Sequence, residues 1–282
     1  MAIRPYIKTV YRDFTNAEKR VADVVLTNAP QVVYMSISDL GELANAGDAT
    51  VLRFCRKIGY KSYQAMKLEL SNEIGQTDHS TDLKDKLVRD GDDIDTILAK
   101  TFNNIISNLN ETRELIDPNA IEKAADMFLR AKNIVVFGVG GSGIIAQDTV
   151  SKFMRIGMNI NCYIDVHTQL MSASILSPED LAVGISFSGS TKDTLGVIQK
   201  VKDNGVPVIC VTHYLRSPLA KLSDLILLHG SNEGPLQGGD SSTKISQLSV
   251  IDVLYHAVYM KMGDRAREYK LKTAGAVLNK LT

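Results

Sequence analysis

Leu181-Ala-Val-Gly-Ile-Ser-Phe-Ser-Gly-Ser-Thr191 is an apolar run of strand character that ends in Ser186, Ser188, Gly189, Ser190 and Thr191. An amphipathic pattern led by Leu195, Ile198 and Val201 follows, so the stretch reads as strand, hydroxyl-rich loop and helix N-terminus. That order is a physical recipe for holding a phosphate. Unpaired backbone N–H groups and the positive end of the helix dipole face the anion, the serines add hydroxyl donors, and Gly189 lets the backbone come close. Standing alone, the same residues would read equally well as a helix cap. The neighbouring stretches decide between the two.

Four further runs share the strand character: Ile134-Val-Val-Phe-Gly138, Ile160-Asn-Cys-Tyr-Ile164, Val206-Pro-Val-Ile-Cys-Val211 and Leu225-Ile-Leu-Leu228. The segments between them are long enough for helices, which predicts an α/β domain with a largely parallel five-stranded sheet flanked by helices. Ligands of such sheets bind at the carboxyl ends of the strands. The first run ends in Gly138-Val-Gly-Gly-Ser-Gly143, a glycine-rich turn into a helix. Gly138, Gly140 and Gly143 satisfy the Gly-x-Gly-x-x-Gly spacing, and Asp165 stands about where a ribose-binding acid is expected, so counting leaves a dinucleotide site open. Against it stands the second, serine-rich loop, which a dinucleotide fold does not require. Ser241 to Met262 reads as a long helix with Leu248, Ile251, Leu254, Tyr255 and Val258 inward, suited to subunit packing, and a basic helix follows from Asp264 to Leu281.

The first seventy-five residues read as all-α. Thr15 caps a helix with Glu18 at the third position, Val21, Val24 and Val25 form its apolar face, and Asn28-Ala29-Pro30 ends it. A second helix starts near Ser36 with Leu40, Leu43 and Ala44 inward, and Ala46-Gly47 breaks it. Asp48 is placed to cap a third, from Ala49 to Ile58, whose stripe Val51, Phe54, Cys55 and Ile58 leaves Thr50, Arg53 and Lys57 opposite, flanked by Ala49 and Arg56. Two short helices around a glycine turn, the second with a basic outer face, match a helix-turn-helix. Arg53, Arg56, Lys57, Lys61 and Lys67 follow one another without an acid between Arg53 and Lys67, a local charge suited to phosphates. A solvated face of an ordinary helical domain is the plainer alternative.

Composition bounds the rest. The 282 residues suit two compact domains, the formal net charge of zero makes any nucleic-acid footprint local, and 44% hydrophobic content supplies a full core. Cys55, Cys162 and Cys210 lie far apart in apolar runs and read as buried reduced thiols of a cytoplasmic protein rather than a metal site. Neither a leader pattern nor an apolar stretch of membrane-spanning length is visible. Gly75 to Pro118 is polar and charged, yet Ile94, Ile97, Leu98, Thr101, Phe102, Ile105, Ile106 and Leu109 predict a helix there, with a hinge confined to Gly75–Asp82. Asp117-Pro118 starts a further helix that runs to Ala131.

Two resemblances extend this reading. Ser36-Ile-Ser-Asp-Leu-Gly-Glu-Leu-Ala44 followed by Ala49-Thr-Val-Leu-Arg-Phe-Cys-Arg-Lys-Ile-Gly-Tyr-Lys-Ser-Tyr63 resembles the N-terminal domain of RpiR-family bacterial transcriptional regulators, with Asp48 where the family more often has Ser. Gly138-Val-Gly-Gly-Ser142, Asp165-Val-His-Thr-Gln-Leu170, Ile185-Ser-Phe-Ser-Gly-Ser-Thr-Lys-Asp193 and Ser217-Pro-Leu-Ala220 together resemble the sugar isomerase (SIS) domain from about Ile134 to Met262. The resemblance implies that Ser142, Ser186, Ser188, Ser190 and Thr191 hold the phosphate and nearby hydroxyls of a phosphosugar. Glu233 and Lys244 would close the pocket, with Lys244 standing where many relatives carry the bidentate fork of Arg.

His167, just past a strand end in a polar turn, suits a sugar hydroxyl or proton transfer, whereas His213, His229 and His256 read as structural by position. The expected layout is therefore a helix-turn-helix domain at 1–75, a helical connector at 76–117 and a phosphosugar-binding SIS domain at 118–282. Ala49, Thr50, Arg53, Arg56, Lys57 and Lys61 face double-stranded operator DNA. The expected protein is a ligand-responsive regulator of sugar or amino-sugar catabolism, a homodimer or higher oligomer as symmetric half-sites demand, with no cofactor, metal or catalytic set. N-acetylmannosamine 6-phosphate is one candidate effector. The rival class is a phosphosugar isomerase with an accessory helical domain, in which His167 and Glu233 form the acid/base pair.

Overall fold

A computed structural model describes residues 3–77, 88, 91–231 and 241–278. Its contacts divide the chain into two compact units, one running to Ile106 and the other starting at Ser107. No helix among the described residues is long and apolar enough to cross a membrane.

The first unit is helical: α1 Ile3–Thr9, α2 Asn16–Thr27, α3 Ala29–Val32, α4 Ile37–Leu43, α5 Asp48–Lys57 and α6 Tyr63–Thr77. Capping boxes set two of the starts, Thr15 with Glu18 before α2 and Ser36 with Asp39 before α4. Phe14, Val21, Val25, Leu40, Val51, Phe54, Met66 and Leu70 fill the core, with the Phe14 and Phe54 rings 5.2 Å apart. Asn28-Ala29-Pro30 ends α2 as expected and leads at once into α3, where Pro30 sits in the first turn and its missing N–H is no loss. Two local expectations change. Leu43 is 51% exposed, because burial runs through Ser38, Leu40, Gly41 and Ala44 and turns the inner face of α4 away from it. Gly75 to Thr77, expected to start a hinge, are instead helical, since α6 continues through Thr77; Ile74 still packs on the core, and one helical glycine costs only about 1 kcal/mol. Residues 78–82 lie outside the described residues.

A 22-residue helix, α7 Ile94–Leu115, carries the chain from the first unit into the second, and its turns from Ser107 onward group with the second unit. Asp117 then caps α8 Pro118–Arg130 by accepting from the Asn119 N–H. The strands are β1 Ile134–Phe137, β2 Ile160–Cys162, β3 Leu181–Ile185, β4 Val208–Thr212 and β5 Leu225–Leu228. All pair in parallel in the order β2-β1-β3-β4-β5. The intervening and closing helices are α9 Gly141–Met154, α10 Val166–Ile175, α11 Lys192–Asp203, α12 Pro218–Leu222, α13 Ser241–Met262 and α14 Asp264–Leu278.

Alternation along the strands divides the core. Ile134, Val136, Val183 and Ile185 meet Ala124, Phe128, Phe153, Val250, Ile251 and Leu254 on one face. Val135, Phe137 and Ala182 meet Ala173, Val197, Ile198, Val201 and Leu219 on the other. Cys55 and Cys210 are buried, whereas Cys162 is only half-buried because β2 is an edge strand. The chain leaves β1 towards β2 on one side and returns to β3 on the other, so the order reverses between β1 and β3. A crevice opens at the carboxyl ends of two such strands, where the glycine-rich and serine-rich loops begin.

Candidate functional site

The serine loop is held in shape before any ligand arrives. Ser186 is buried at the end of β3, and its Oγ accepts from the Gly189 N–H at 3.1 Å while lying 3.3 Å from Thr191 Oγ1. Ser188 Oγ accepts from the Ser190 N–H at 3.2 Å. Gly189 has φ +56°, and a Cβ there would fall 2.1 Å from Ser217 Oγ and 2.4 Å from Ser217 Cβ. Ser217 is fixed in turn, since it caps α12 by accepting from the Ala220 N–H, and the Leu219 N–H donates to the Gly189 carbonyl at 2.9 Å. The conformation therefore needs glycine twice, for the backbone angle and for the space. Helix α11 starts directly after Thr191, which contributes no side-chain cap, so the first-turn N–H groups of the helix face the loop without an acceptor from within the helix.

The glycine loop after β1 is equally tight. A Cβ on Gly138 would lie 2.8 Å from the Ser142 carbonyl oxygen, and Gly140 has φ +57° as the N-cap residue of α9, again without a side-chain cap. Ser142 is half-buried in the first turn of α9. Lys244 comes to this loop from the first turn of α13, with its Cδ 4.0 Å from the Cβ position of Gly141. Two helix N-termini on adjacent strands, hydroxyls and an ammonium make a place for an anion. No group of His, Cys, Asp and Glu among the described residues is arranged to hold a metal.

His167 is not in a polar turn. It is exposed on the first turn of α10, behind Asp165, whose carboxylate accepts from the Thr168 N–H at 3.0 Å and from the Thr168 hydroxyl at 3.1 Å. Those bonds hold the Asp165 carboxyl below the usual carboxylate range. Glu233 lies outside the described residues.

In the first unit, α4 and α5 are joined through Asn45 in the left-handed region, φ +47°. The Arg20 guanidinium clamps this turn by donating to the Ala44 and Asn45 carbonyls at 2.9 and 2.6 Å. Gly41 is tied to it as well, because a Cβ there would meet the Ala46 carbonyl oxygen at 2.7 Å. Asp48 does not cap α5 but is its first residue after Gly47, and its carboxylate accepts from Ser38 Oγ. Ala49, Arg53, Arg56 and Lys61 are exposed. Thr50 is not on the outer face: it is 9% exposed, and its Oγ1 accepts from Arg53. Lys57 is turned back onto its own domain, where its ammonium donates to the Asp13 carbonyl and to Glu18 Oε2 and lies over the Phe14 ring.

Comparison with known proteins agrees with both halves. Residues 1–77 match the family model described as a helix-turn-helix domain of the rpiR family, and residues 127–257 match that of the SIS domain. An HTH-type transcriptional regulator of Haemophilus influenzae is 35% identical over 96% of this chain and 95% of its own length. The chain belongs to the RpiR family of HTH-type transcriptional regulators. Another member, HexR of Pseudomonas aeruginosa, is 32% identical over 89% of this chain and 87% of its own. NanR of Vibrio vulnificus, solved complexed with ManNAc-6P, superposes with a TM-score of 0.89 at 28% identity, covering 99% of both chains.

Within this RpiR-family chain, one polar group beside the loops, Gln169, escaped the sequence reading, while His213 and His229 have the structural role their positions suggested. Gln169 is fully buried and donates to the Gly138 and Tyr163 carbonyls, tying the glycine loop to the end of β2. His213, after β4, stacks on Phe187 of the serine loop at 5.5 Å, and its N–H and Nδ1 bond the Phe187 and His229 carbonyls. His229 is fully buried with Nδ1 against the Gly230 carbonyl and Nε2 against the Gln247 amide. Burial pushes its imidazole down to about 3, so it stays neutral.

Proposed function

We propose that this regulator is a cytoplasmic repressor of sugar or amino-sugar catabolism whose SIS domain binds a phosphosugar and whose helix-turn-helix binds operator DNA as a homodimer. The observation that carries the reading is the pairing of two preshaped anion-facing loops, after β1 and after β3, at the point where the strand order reverses. In this reading Ser142, Ser186, Ser188, Ser190 and Thr191 surround the phosphate, Lys244 neutralises it, and His167 and Glu233 contact the sugar. Ala49, Arg53, Arg56 and Lys61 meet the DNA. The functional division runs at 1–75 for DNA, 76–117 for the connector and 118–282 for the sensor. An N-acetylated hexosamine 6-phosphate is the effector we favour, since NanR, similar along its whole length, was solved with ManNAc-6P. Chemistry on the sugar has no part in it, and relatives matched over 89–98% of the chain bear regulator names.

A thermal-shift panel of hexose and hexosamine phosphates, their unphosphorylated sugars and NADH tests the reading, with turnover checked on each hit. A ligand at a hundred times its Kd adds about 2.7 kcal/mol, a shift of roughly 5–10 °C for a domain of this size. A shift from a phosphosugar without turnover is expected. Turnover abolished by Glu233→Ala, or a response to NADH alone, overturns it.

A further inference from the structure

We infer that Asn108 and Thr112 on α7 are the positioning residues through which the effector site acts on the helix leading to the DNA-binding unit; the inference rests on the phosphosugar reading above. Three consecutive residues in the first turn of α13 turn in different directions. Lys244 lies beside the glycine loop, its Cδ 4.0 Å from the Cβ position of Gly141, Thr243 Oγ1 bonds Ser231 Oγ at 2.8 Å, and Ser242 Oγ accepts from Asn108 Nδ2 at 2.8 Å. Any shift of that turn as Lys244 closes on a phosphate must move Ser242 against α7. A second tie comes from the end of β5. The Gly230 N–H donates to Thr112 Oγ1 at 3.0 Å, and the Thr112 hydroxyl donates to the Asn108 carbonyl at 2.6 Å. Gly230 is pressed so close that a Cβ would lie 2.6 Å from Glu111 Cβ and 2.8 Å from the Thr112 nitrogen.

Asn108, Thr112, Ser242 and Thr243 are all at most 4% exposed, so these bonds do not exchange freely with water, and a displaced partner must be followed rather than replaced. The same β5 end holds His229, which Gln247 of α13 and His213 beside the serine loop connect back to the site. Both sides of the pocket thus end on one turn of α7. Polar side chains at Asn108 and Thr112 are otherwise costly choices for a helix face buried in a core. Burying them there gives α7 a position set by hydrogen bonds that the effector site shares, which is the physical requirement for coupling between two sites.

The test measures the full-length chain by fluorescence anisotropy on a duplex enriched from a random library by the wild type. N-acetylmannosamine 6-phosphate is the probe, or the phosphosugar with the largest thermal shift if another exceeds it. The readout is the ratio of DNA Kd with and without effector. A ratio of 5–150 is expected for the wild type. In Thr112→Val the ratio should fall at least fivefold towards one, while effector affinity and effector-free DNA affinity stay within about twofold. Ser242→Ala, which removes the acceptor for Asn108, should act in the same direction and serves if Thr112→Val melts early. Thr149→Val is the control for a merely structural loss: its hydroxyl is fully buried in the same unit but bonds only along α9, and it should keep the wild-type ratio. Wild-type coupling in both Thr112→Val and Ser242→Ala would overturn the inference and leave the sensor standing. A wild-type ratio of one for every phosphosugar would overturn both.

Discussion

Replacing Gly189 by alanine puts the serine loop to a quantitative test. The left-handed φ of +56° costs an L-residue about 1–2 kcal/mol. The added Cβ would sit 2.1 Å from Ser217 Oγ, far inside contact distance, so Ser217 must move. That sacrifices its cap on α12, worth about 1 kcal/mol, and forces repacking of a close-packed site at about 1–3 kcal/mol more. The sum is at least about 3 kcal/mol, or roughly 6–12 °C in the melting of a unit this size. Gly196 is the matched control, an exposed glycine within α11 whose Cβ position has nothing within 4 Å and whose φ is not positive. Gly196→Ala should stabilise by up to about 1 kcal/mol through helix propensity. Differential scanning fluorimetry gives both melting points, and phosphosugar binding follows on the same samples. If Gly189→Ala melted within 1 °C of wild type and bound phosphosugar as well, the loop would not be built as described.

Four further outcomes are expected. Arg53→Ala should weaken operator binding and relax base preference with no loss of stability, and Lys61→Ala should weaken all DNA and lower the salt slope by about one. Lys57→Ala should act chiefly on folding, by up to about 1 kcal/mol, because it removes the ion pair to Glu18, whose carboxylate keeps its bond from the Thr15 N–H; urea denaturation and salt titrations separate the three. His229 carries a pH signature. Its folded value of about 3 lies below the 6.5 of an unfolded histidine, so the unfolded chain takes up the proton first. Stability from this group is complete above about pH 6.5 and falls as pH drops towards 3, by about 2 kcal/mol between pH 7 and pH 5. His229→Gln should remove that part of the slope, and an unchanged slope would show that the imidazole is not held neutral.

The sheet and its order of elements were legible because β1, β3 and β4 are unbroken apolar runs buried on both faces, and helix starts are marked in the sequence at Thr15, Ser36 and Asp117. The anion-facing loops were legible for the same reason: glycine at positive φ next to serine at a helix start is a local pattern. What could not be read depends on partners distant in sequence. Thr50 and Lys57 share the helical angle of the recognition face, yet Lys57 is drawn to Glu18, 39 residues earlier, and only the fold brings them together. Arg20 clamps a turn 24 residues away. Asn108 and Thr112 occupy part of the α7 face that periodicity assigns to apolar packing, and their partners Ser242 and Gly230 lie 134 and 118 residues further on. His167 was misplaced by a single turn, because Asp165 caps α10 and so draws the histidine into the helix.

The central claim is that occupancy of the phosphosugar site sets DNA affinity. The most direct measurement is a DNA titration of the full-length chain in three parallel series, one without sugar, one with N-acetylmannosamine 6-phosphate and one with N-acetylmannosamine at the same concentration. A change in DNA Kd of at least about fivefold is expected with the phosphorylated sugar and none with the unphosphorylated one, if the loops after β1 and β3 are what hold the effector, through its phosphate. Equal effects of the two sugars, or no effect of any hexose or hexosamine phosphate put in the same place, would contradict it.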